Sequence, residues 1–570
     1  MKALIRDYLG SLRERDELDA ILPDLLSELG FTVISRPQRG TTQRGVDIAA
    51  ISPGEDATRK LHLFCVKPGD LSRQDWNGTD QAVRPSMDEI VDAYLPHRVP
   101  KAYQGLPVVI CLAIGGVIKE QVQELWNGYT TSRSTDKVSY VCWNGDQLAD
   151  LLLQGILREE LLPKPMRSSF QKAVAMVDTP DVSFAHFAHL TAQLHKSGQL
   201  SHKARVRAAR QINICLWILY VWARDVENVD APCRASELAL LTVWELIKPL
   251  IGKRSAEAKK MFEALAQIIQ LHIHILKQYI DERIAPHAGV EHGLTMAVGS
   301  KEAVDINLAL FNVLGRLSML GIWISWLADR AEPKKPKLAA SMRKDMNTYV
   351  EMAFKLISNN PALLLPTSDR QATDIAMMMF LWMRNGGGVP SFFAWLAQMT
   401  ERFDFTIRVR ERYPCATSDY QDLADHPRDR SDEYFQEMTS ASTFVPLLAA
   451  WLHGTNMHDV YERLERVVRE KLRHCTMQLW IPDTTSEEHL YLGGDTHGRA
   501  LSDLSLHHGG TALIADIEAC CRENNGFQQL TAIATEHWPV AIVACRHHGL
   551  PIPPQFWIAA FTAKQDQHVA

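Results

Sequence analysis

The first 165 residues alternate between short apolar runs of strand length and longer patterns of helical spacing. Leucines and isoleucines from Leu18 to Leu29 recur at helical spacing, and Gly30 follows where a C-terminal cap belongs. Two further helical patterns lie at Asp88–Leu95 and Ile118–Trp126. Five runs rich in apolar and β-branched residues have strand length: Phe31–Ile34, Val46–Ile51, Leu61–Val66, Val108–Ile114 and Val138–Trp143. This order of helices and strands predicts an α/β domain with a mixed sheet flanked by helices.

From about residue 166 the pattern changes to a succession of long amphipathic helices. Apolar residues recur at helical spacing in the segments Ala185–Leu194, Ala204–Trp222, Ala235–Ile251, Ala256–Ile280, Val304–Leu327, Met342–Ile357 and Thr373–Met383. Strand-like alternation is nearly absent until about residue 476, where Gly, His and Pro become more frequent. A chain of 570 residues is too long for one core. We predict an α/β domain at residues 1–165, an all-helical domain at 166–475 and a small mixed or helical region at 476–570.

The composition favours a soluble protein of a reducing compartment. Apolar residues make up 46% of the chain and charged residues 22%, as in ordinary globular proteins. The ten cysteines include no CxxC pair, and the N-terminal segment lacks an apolar core of signal-peptide length. The apolar run Ile214–Ala223 is shorter than a membrane span of about 20 residues, and Ile306–Leu327 contains polar and charged residues. We therefore expect a cytoplasmic protein in which both runs are buried helices.

Two neighbouring strand-like runs each carry one charged residue. Asp47 lies in RGVDIAA, and Lys67 ends LHLFCVK two residues after Cys65. Residues two apart in a strand share a face, so Cys65 and Lys67 point to the same side of the sheet. If the two runs pair, Asp47 and Lys67 converge at one edge. An aspartate that binds a divalent ion, beside a lysine that stabilises developing phosphate charge, is an arrangement suited to metal-dependent nucleases.

The passage LLSELGFTVISRPQRGTTQRGVDIAA, followed by HLFCVK, resembles the PD-(D/E)XK nuclease superfamily, and within it the Mrr-like restriction endonucleases. The resemblance covers roughly residues 15–115 and includes a helix, a strand, a GxD strand and an xxK strand in the family's order. It implies that Asp47 binds the metal and that Lys67 is the catalytic lysine. Glu17 or Asp19 would match the family's auxiliary carboxylate on the first helix. Gln81 would match the polar residue of the following helix.

One position departs from the family. Cys65 stands where the superfamily has Glu, Asp or sometimes Gln, and a thiol is a poor ligand for Mg²⁺. An active site therefore needs another carboxylate, and the candidates are Asp70, just past the strand, and Glu89, on the next helix. The expected cofactor is Mg²⁺ or Mn²⁺, which one or two carboxylates and phosphate oxygens can hold. The metal ligands predicted in this way are Asp47, Asp70 and Glu89.

Positive charge offers a further indication. The formal net charge is −6, so the chain has no overall basic footprint for DNA, and any nucleic-acid site must be a local patch. Three arginines flank the aspartate strand, and three basic residues fall at i, i+4 and i+7 of one helical pattern. A solvated helix face is the alternative explanation for the second group. The candidate nucleic-acid-binding residues are Arg36, Arg39, Arg44, Lys203, Arg207 and Arg210.

Two functions of different classes fit these observations. The first is a metal-dependent DNA endonuclease that hydrolyses phosphodiester bonds. Nuclease domains fused to large helical modules resemble effectors of bacterial anti-phage defence, which implies a sensing or assembly role for the helical region. The second is a catalytically degenerate nuclease-fold scaffold that binds nucleic acid or partner proteins through that region. The expected partner is double-stranded DNA, while companion defence proteins and a homo-oligomer stay open.

Overall fold

The computed structural model describes residues 2–12, 18–35, 44–54, 59–155, 164–300, 302–493, 496–502 and 504–561. Contacts divide the chain into two compact units. The first unit is Met1–Ala239 with Pro249–Ile268, and the second is Leu240–Lys248 with Ile269–Ala570. The first unit therefore contains the α/β part of the chain together with several helices that follow it.

The α/β part begins with two helices and a strand, and then alternates. Its elements are α1 (Lys2–Ser11), α2 (Asp19–Glu28), β1 (Thr32–Ser35), β2 (Ile48–Ile51), β3 (Leu61–Lys67), α3 (Arg73–Asn77), α4 (Val83–Glu89), α5 (Leu95–His97), β4 (Val108–Ile114), α6 (Glu120–Arg133), β5 (Val138–Trp143) and α7 (Gly145–Gly155). A π-helical segment, Ile90–Tyr94, joins α4 to α5. Each of the five predicted strands is confirmed, with boundaries shifted by at most two residues at an end.

The strands form one sheet in the order β1-β2-β3-β4-β5. Strand β2 pairs antiparallel with β1 and β3, whereas β3, β4 and β5 pair in parallel. The two parallel pairs follow from the helical crossovers, because a parallel neighbour requires a connection long enough to return to the starting edge. The predicted mixed sheet flanked by helices is thus confirmed.

Strand β3 is buried on both faces, which explains its continuous apolar sequence. Leu61, Leu63 and Cys65 belong to a buried cluster with side chains of α3, α4 and α6, among them Trp76 and Met87. On the opposite face, aromatic rings pack edge to face, with ring centroids 5.1 Å apart for the pairs Phe31–His62 and Phe64–Trp143. The face that α3, α4 and α6 cover is called the α4 face below.

The remainder of the first unit is helical and contacts the α/β part through polar side chains. Its elements include α8 (Lys164–Ala175), α9 (Pro180–Gly198), α10 (His202–Asp225), and parts of α11 (Asp230–Ile247) and α12 (Ala256–Tyr279). Arg210 Nη1 of α10 donates to Glu28 Oε1 of α2 at 2.6 Å. Gln267 Nε2 of α12 donates to Asp24 Oδ1 of α2 at 3.2 Å. Helix α2, which precedes β1, is therefore bonded to two of the helices that follow the sheet.

The second unit is mainly helical, as predicted for this part of the chain. Its helices are α13 (Gly293–Ala297), α14 (Ala303–Ala331), α15 (Pro336–Asn359), α16 (Ala372–Arg384), α17 (Ser391–Val409), α18 (Tyr420–Asp425), α19 (Asp432–Met438), α20 (Phe444–Gly454), α21 (His458–Lys471), α22 (Ser486–His489), α23 (Gly510–Glu523), α24 (Gly526–Gln529), α25 (Thr531–Ala534) and α26 (Pro539–His548). Its short strands are β6 (Ala441–Ser442), β7 (Thr476–Met477), β8 (Leu479–Ile481) and β9 (Arg499–Leu501).

Among the described residues, one helix, α14, is long and apolar enough to cross a membrane by length and composition. Of its most apolar window, 78% is buried inside the protein, as in the core helix of a soluble domain. It also buries Asn307, Arg316 and Ser325. Length and composition alone are weak evidence for a membrane span, and the burial matches the expectation for Ile306–Leu327.

Candidate active site

Asp47 stands at the entrance to β2, next to β3. Its backbone N–H donates to Phe64 O at 2.9 Å, and its carboxylate Oδ2 accepts the backbone N–H of Val66 at 2.8 Å. Because β2 pairs Ile48 with Phe64 in antiparallel register, the next pair along the ladder sets Asp47 opposite Cys65. The Asp47 carboxylate, one residue before β2 begins, thus accepts a hydrogen bond from the backbone of β3. This bond fixes the direction of the Asp47 side chain.

Lys67 ends β3 and shares a face with Cys65 and Asp47. Side chains alternate along a strand, so Cys65 and Lys67 point to the α4 face, and cross-strand register puts Asp47 there too. Lys67 is half-buried, whereas Cys65 is 1% exposed and packs in the apolar cluster. The thiol therefore lies in the core, and the charged groups lie at the strand ends.

Glu89 approaches from helix α4, which covers the same face. It is the last residue of α4 before the π-helical segment, and π-helical turns are frequent at functional sites. Its Oε1 accepts a hydrogen bond from Arg44 Nη1 at 3.0 Å. The two side chains are 38% and 47% exposed. A predicted metal ligand and a predicted nucleic-acid-binding arginine thus form one ion pair.

The turn before β2 is held against α4 by a glycine. Arg44 and Gly45 have φ angles of +55° and +73°, in the left-handed region that favours glycine. A Cβ atom on Gly45 would lie 2.1 Å from Ser86 O of α4, so no larger residue fits without displacement. This close approach brings Arg44 beside Glu89, one helical turn after Ser86.

Asp70 belongs to a different neighbourhood. Its Oδ1 accepts the backbone N–H of Val117 at 3.0 Å, and its Oδ2 lies 3.9 Å from Lys119 Nζ. Both partners follow β4, whereas Asp47 is bonded on the β2 side of β3. Two strand spacings amount to about 9–10 Å, and each ligand must lie about 2.1 Å from a shared Mg²⁺. This separation argues against Asp70 as a ligand of the same ion as Asp47, and Glu89 is the candidate that remains.

The remaining residues predicted from the superfamily resemblance are only partly described. Glu17, Arg36 and Arg39 lie outside the described residues. Asp19 is the half-buried first residue of α2, and Gln81 is exposed in the turn before α4.

The predicted basic face of α10 needs correction. Arg210 is 4% exposed and its guanidinium is bonded to Glu28, so it is not presented to a nucleic acid. Arg207 is half-buried, with its Nε atom inside the protein and without a hydrogen-bond acceptor, and Lys203 is exposed. The spacing i, i+4, i+7 did put these residues on one side of the helix, but that side turns toward the protein as α10 proceeds.

The donor set can be compared with the requirements of a divalent cation. Mg²⁺ is usually held by one or two carboxylates, water and substrate phosphates. Asp47 and Glu89 supply two carboxylates at the α4 face, and both are reachable from solvent. Within the described parts of the chain, no group of three or more His, Cys, Asp or Glu side chains is placed to hold an ion. A cation held by Asp47 and Glu89 would therefore need water and phosphate oxygens for the rest of its coordination.

Sequence reasoning missed the pairing of Arg44 with Glu89. The two residues are 45 positions apart, and nothing in the periodicity of either segment links them. The glycine at position 45 was the available signal, since a glycine before a strand indicates a tight approach of two backbones.

Comparison with known proteins adds no identity. No protein-family model matches the chain, and no curated protein or solved structure matches it.

Proposed function

We propose that the α/β part of this chain is a metal-dependent DNA endonuclease of the PD-(D/E)XK type. The observation that carries the proposal is the position of Asp47 and Lys67, at the ends of two paired strands and on the same face of the sheet. The order of antiparallel and parallel strands and the approach of Glu89 from α4 add support.

Three residues of the chain, Asp47, Glu89 and Lys67, would carry out separate parts of the reaction. Asp47 and Glu89 would hold the cation, and the hydrogen bond from Val66 N–H keeps the Asp47 carboxylate oriented for it. A bound cation supplies Lewis-acid polarisation of the phosphate and a lowered pKa for water. The Lys67 ammonium stabilises the negative charge that develops on the phosphate oxygens as water attacks. The attacking water forms a new P–O bond and gives up a proton to solvent. The P–O bond to the leaving sugar oxygen breaks, and that oxygen takes up a proton from solvent.

The wider setting of the proposal is bacterial defence against phage. It rests on the resemblance of nuclease–helical fusions to defence effectors, with the helical region serving sensing or assembly. A cytoplasmic location and double-stranded DNA as the partner belong to the same proposal.

A specific observation favours a second candidate, the catalytically degenerate scaffold. Cys65, at the position of the family's acidic residue, is buried in an apolar cluster and offers no oxygen ligand. In that case Asp47 serves to close the β2–β3 ladder, and the helical region provides the working surface for nucleic acid or partner proteins.

Cleavage of supercoiled and linear DNA with Mg²⁺ or Mn²⁺ separates the two candidates. We expect the full chain to cut, and Asp47→Ala and Lys67→Ala to lose at least about a hundredfold in rate, as for loss of a charge-stabilising group. Lys137→Ala removes an exposed lysine before β5 and serves as the control that cuts normally. Absence of cleavage by the wild type, or equal cleavage by all variants, would reject the nuclease and favour the scaffold.

A further inference from the structure

We propose that Arg44 is a positioning residue that couples DNA binding to cation binding. In the absence of DNA, the Arg44 guanidinium is paired with the Glu89 carboxylate. When a DNA phosphate binds the guanidinium instead, Glu89 becomes available to bind the cation. The inference rests on the proposed function and adds a mode of regulation at the same site. The contact that carries it is the ion pair between Arg44 Nη1 and Glu89 Oε1, at 3.0 Å.

The backbone imposes this pairing. Gly45 packs against Ser86 O so closely that a Cβ would lie 2.1 Å away, which holds the turn to helix α4. Ser86 and Glu89 are three residues apart and share one side of the helix. The backbone of Arg44 therefore lies close to Glu89, and the Arg44 side chain can reach the Glu89 carboxylate. The pair is not a chance meeting of two long side chains on a free surface.

Both members of the pair remain open to the groups that would separate them. Arg44 is 47% exposed and Glu89 38% exposed, so a phosphate and a cation can each arrive from solvent. An arginine fork matches a phosphate in a bidentate manner, which makes phosphate a competent replacement for a single carboxylate contact.

The exchange links the two ligands thermodynamically. While Arg44 occupies Glu89, cation binding must compete with the guanidinium for the carboxylate. Once a phosphate holds Arg44, the carboxylate stands uncompensated near a polyanion, and a cation is the group that neutralises it. DNA then strengthens cation binding, and the cation strengthens DNA binding by the same factor. An exposed ion pair limits that factor to about two- to fivefold.

Cation binding without DNA gives the first test. The free Mn²⁺ signal in electron paramagnetic resonance yields the Kd for the full chain and its variants. Arg44→Gln should bind Mn²⁺ about two- to fivefold more tightly than the wild type. Arg84→Gln removes an exposed arginine of the same helix and should change the Kd less. Because Arg44 acts through Glu89, Arg44→Gln should have no effect in a Glu89→Gln background, as a double-mutant cycle would reveal.

DNA dependence gives the second test. In a Lys67→Ala background, which prevents cleavage under the proposed function, a short duplex should tighten Mn²⁺ binding. When Arg44→Gln is added, the same duplex should tighten Mn²⁺ binding by a smaller factor, because the phosphate ligands remain but the release of Glu89 is lost. If Mn²⁺ binding depends on Asp47 but is indifferent to Arg44→Gln, the coupling is overturned while the proposed function stands. If no Mn²⁺ binding is lost in Asp47→Asn, the proposed function and the coupling both fail.

Discussion

The ion pair between Arg210 and Glu28 should contribute more to stability than the pair between Lys2 and Asp150, although the two pairs have similar lengths. Arg210 Nη1 lies 2.6 Å from Glu28 Oε1, and the side chains are 5% and 16% exposed. Lys2 Nζ lies 2.8 Å from Asp150 Oδ2, but both of those side chains are 46% exposed. Distance is nearly the same in the two pairs, so burial is the variable that separates them.

The expected losses of stability follow from the solvent exposure of each charged side chain. Removing one member of a buried pair costs about 3–5 kcal/mol, because the other charge stays buried without compensation. Glu28 keeps some exposure, so Arg210→Met should cost about 3 kcal/mol, at the lower end of that range. Met retains much of the apolar stem and limits the loss of packing. Lys2→Met should cost at most about 1 kcal/mol, as for other exposed pairs.

Hydrogen exchange is the suitable assay, since a chain with two compact units need not unfold in one step. A loss of about 3 kcal/mol corresponds to roughly a hundredfold faster exchange in the protected amides of α2 and α10. The double variant Glu28→Gln with Arg210→Met removes the stranded charge and should recover part of that protection. Equal, small effects of Arg210→Met and Lys2→Met would show that burial does not govern this pair.

Two further predictions concern one position in each unit. Gly45→Ala should destabilise the α4 region by at least about 1–2 kcal/mol, the cost of a left-handed backbone alone, because its Cβ would also meet Ser86 O. Gly105→Ala, whose Cβ would meet nothing within 4 Å, should change the hydrogen-exchange protection of the α4 amides little, and equal changes for the two variants would contradict the argument. In the second unit, burial lowers the pKa of His426 to about 4, and its ring nitrogens contact Tyr434 Oη and Tyr413 O at 3.0 Å. As pH falls from about 6.5, the unfolded state therefore binds a proton before the folded state does, and stability should decline between pH values of about 6.5 and about 4. His426→Gln should flatten that decline in the hydrogen-exchange protection of the amides around position 426, measured against pH. Parallel profiles for the wild type and the variant would refute the assignment.

The sequence by itself determined the elements and the class of fold. Short runs of apolar and β-branched residues marked all five strands. In β2, β3 and β4 these runs are continuous because the strands are largely buried on both faces. Long helical periodicity marked α9 to α12 and α14 to α16 in the same way. Local period depends only on near neighbours in the chain, so it can be recognised without knowing what each element packs against. The relation of Asp47 to Lys67 was also accessible, since strand pairing and alternation restrict it to few arrangements.

Tertiary structure alone decided which side chains meet. Periodicity grouped Lys203, Arg207 and Arg210 on one side of α10, but packing against α2 turned Arg210 inward to Glu28. Asp70 lies three residues beyond β3, and hydrogen bonding to the segment after β4 directs its carboxylate away from the β2 side. The partners in each case are distant in sequence, and their choice depends on burial, charge compensation and backbone approach in the folded chain. The energies of burial, charge compensation and backbone approach arise only when the elements pack against one another. The sequence therefore predicted the sheet and the charged residues at its strand ends, but not the partners of those residues.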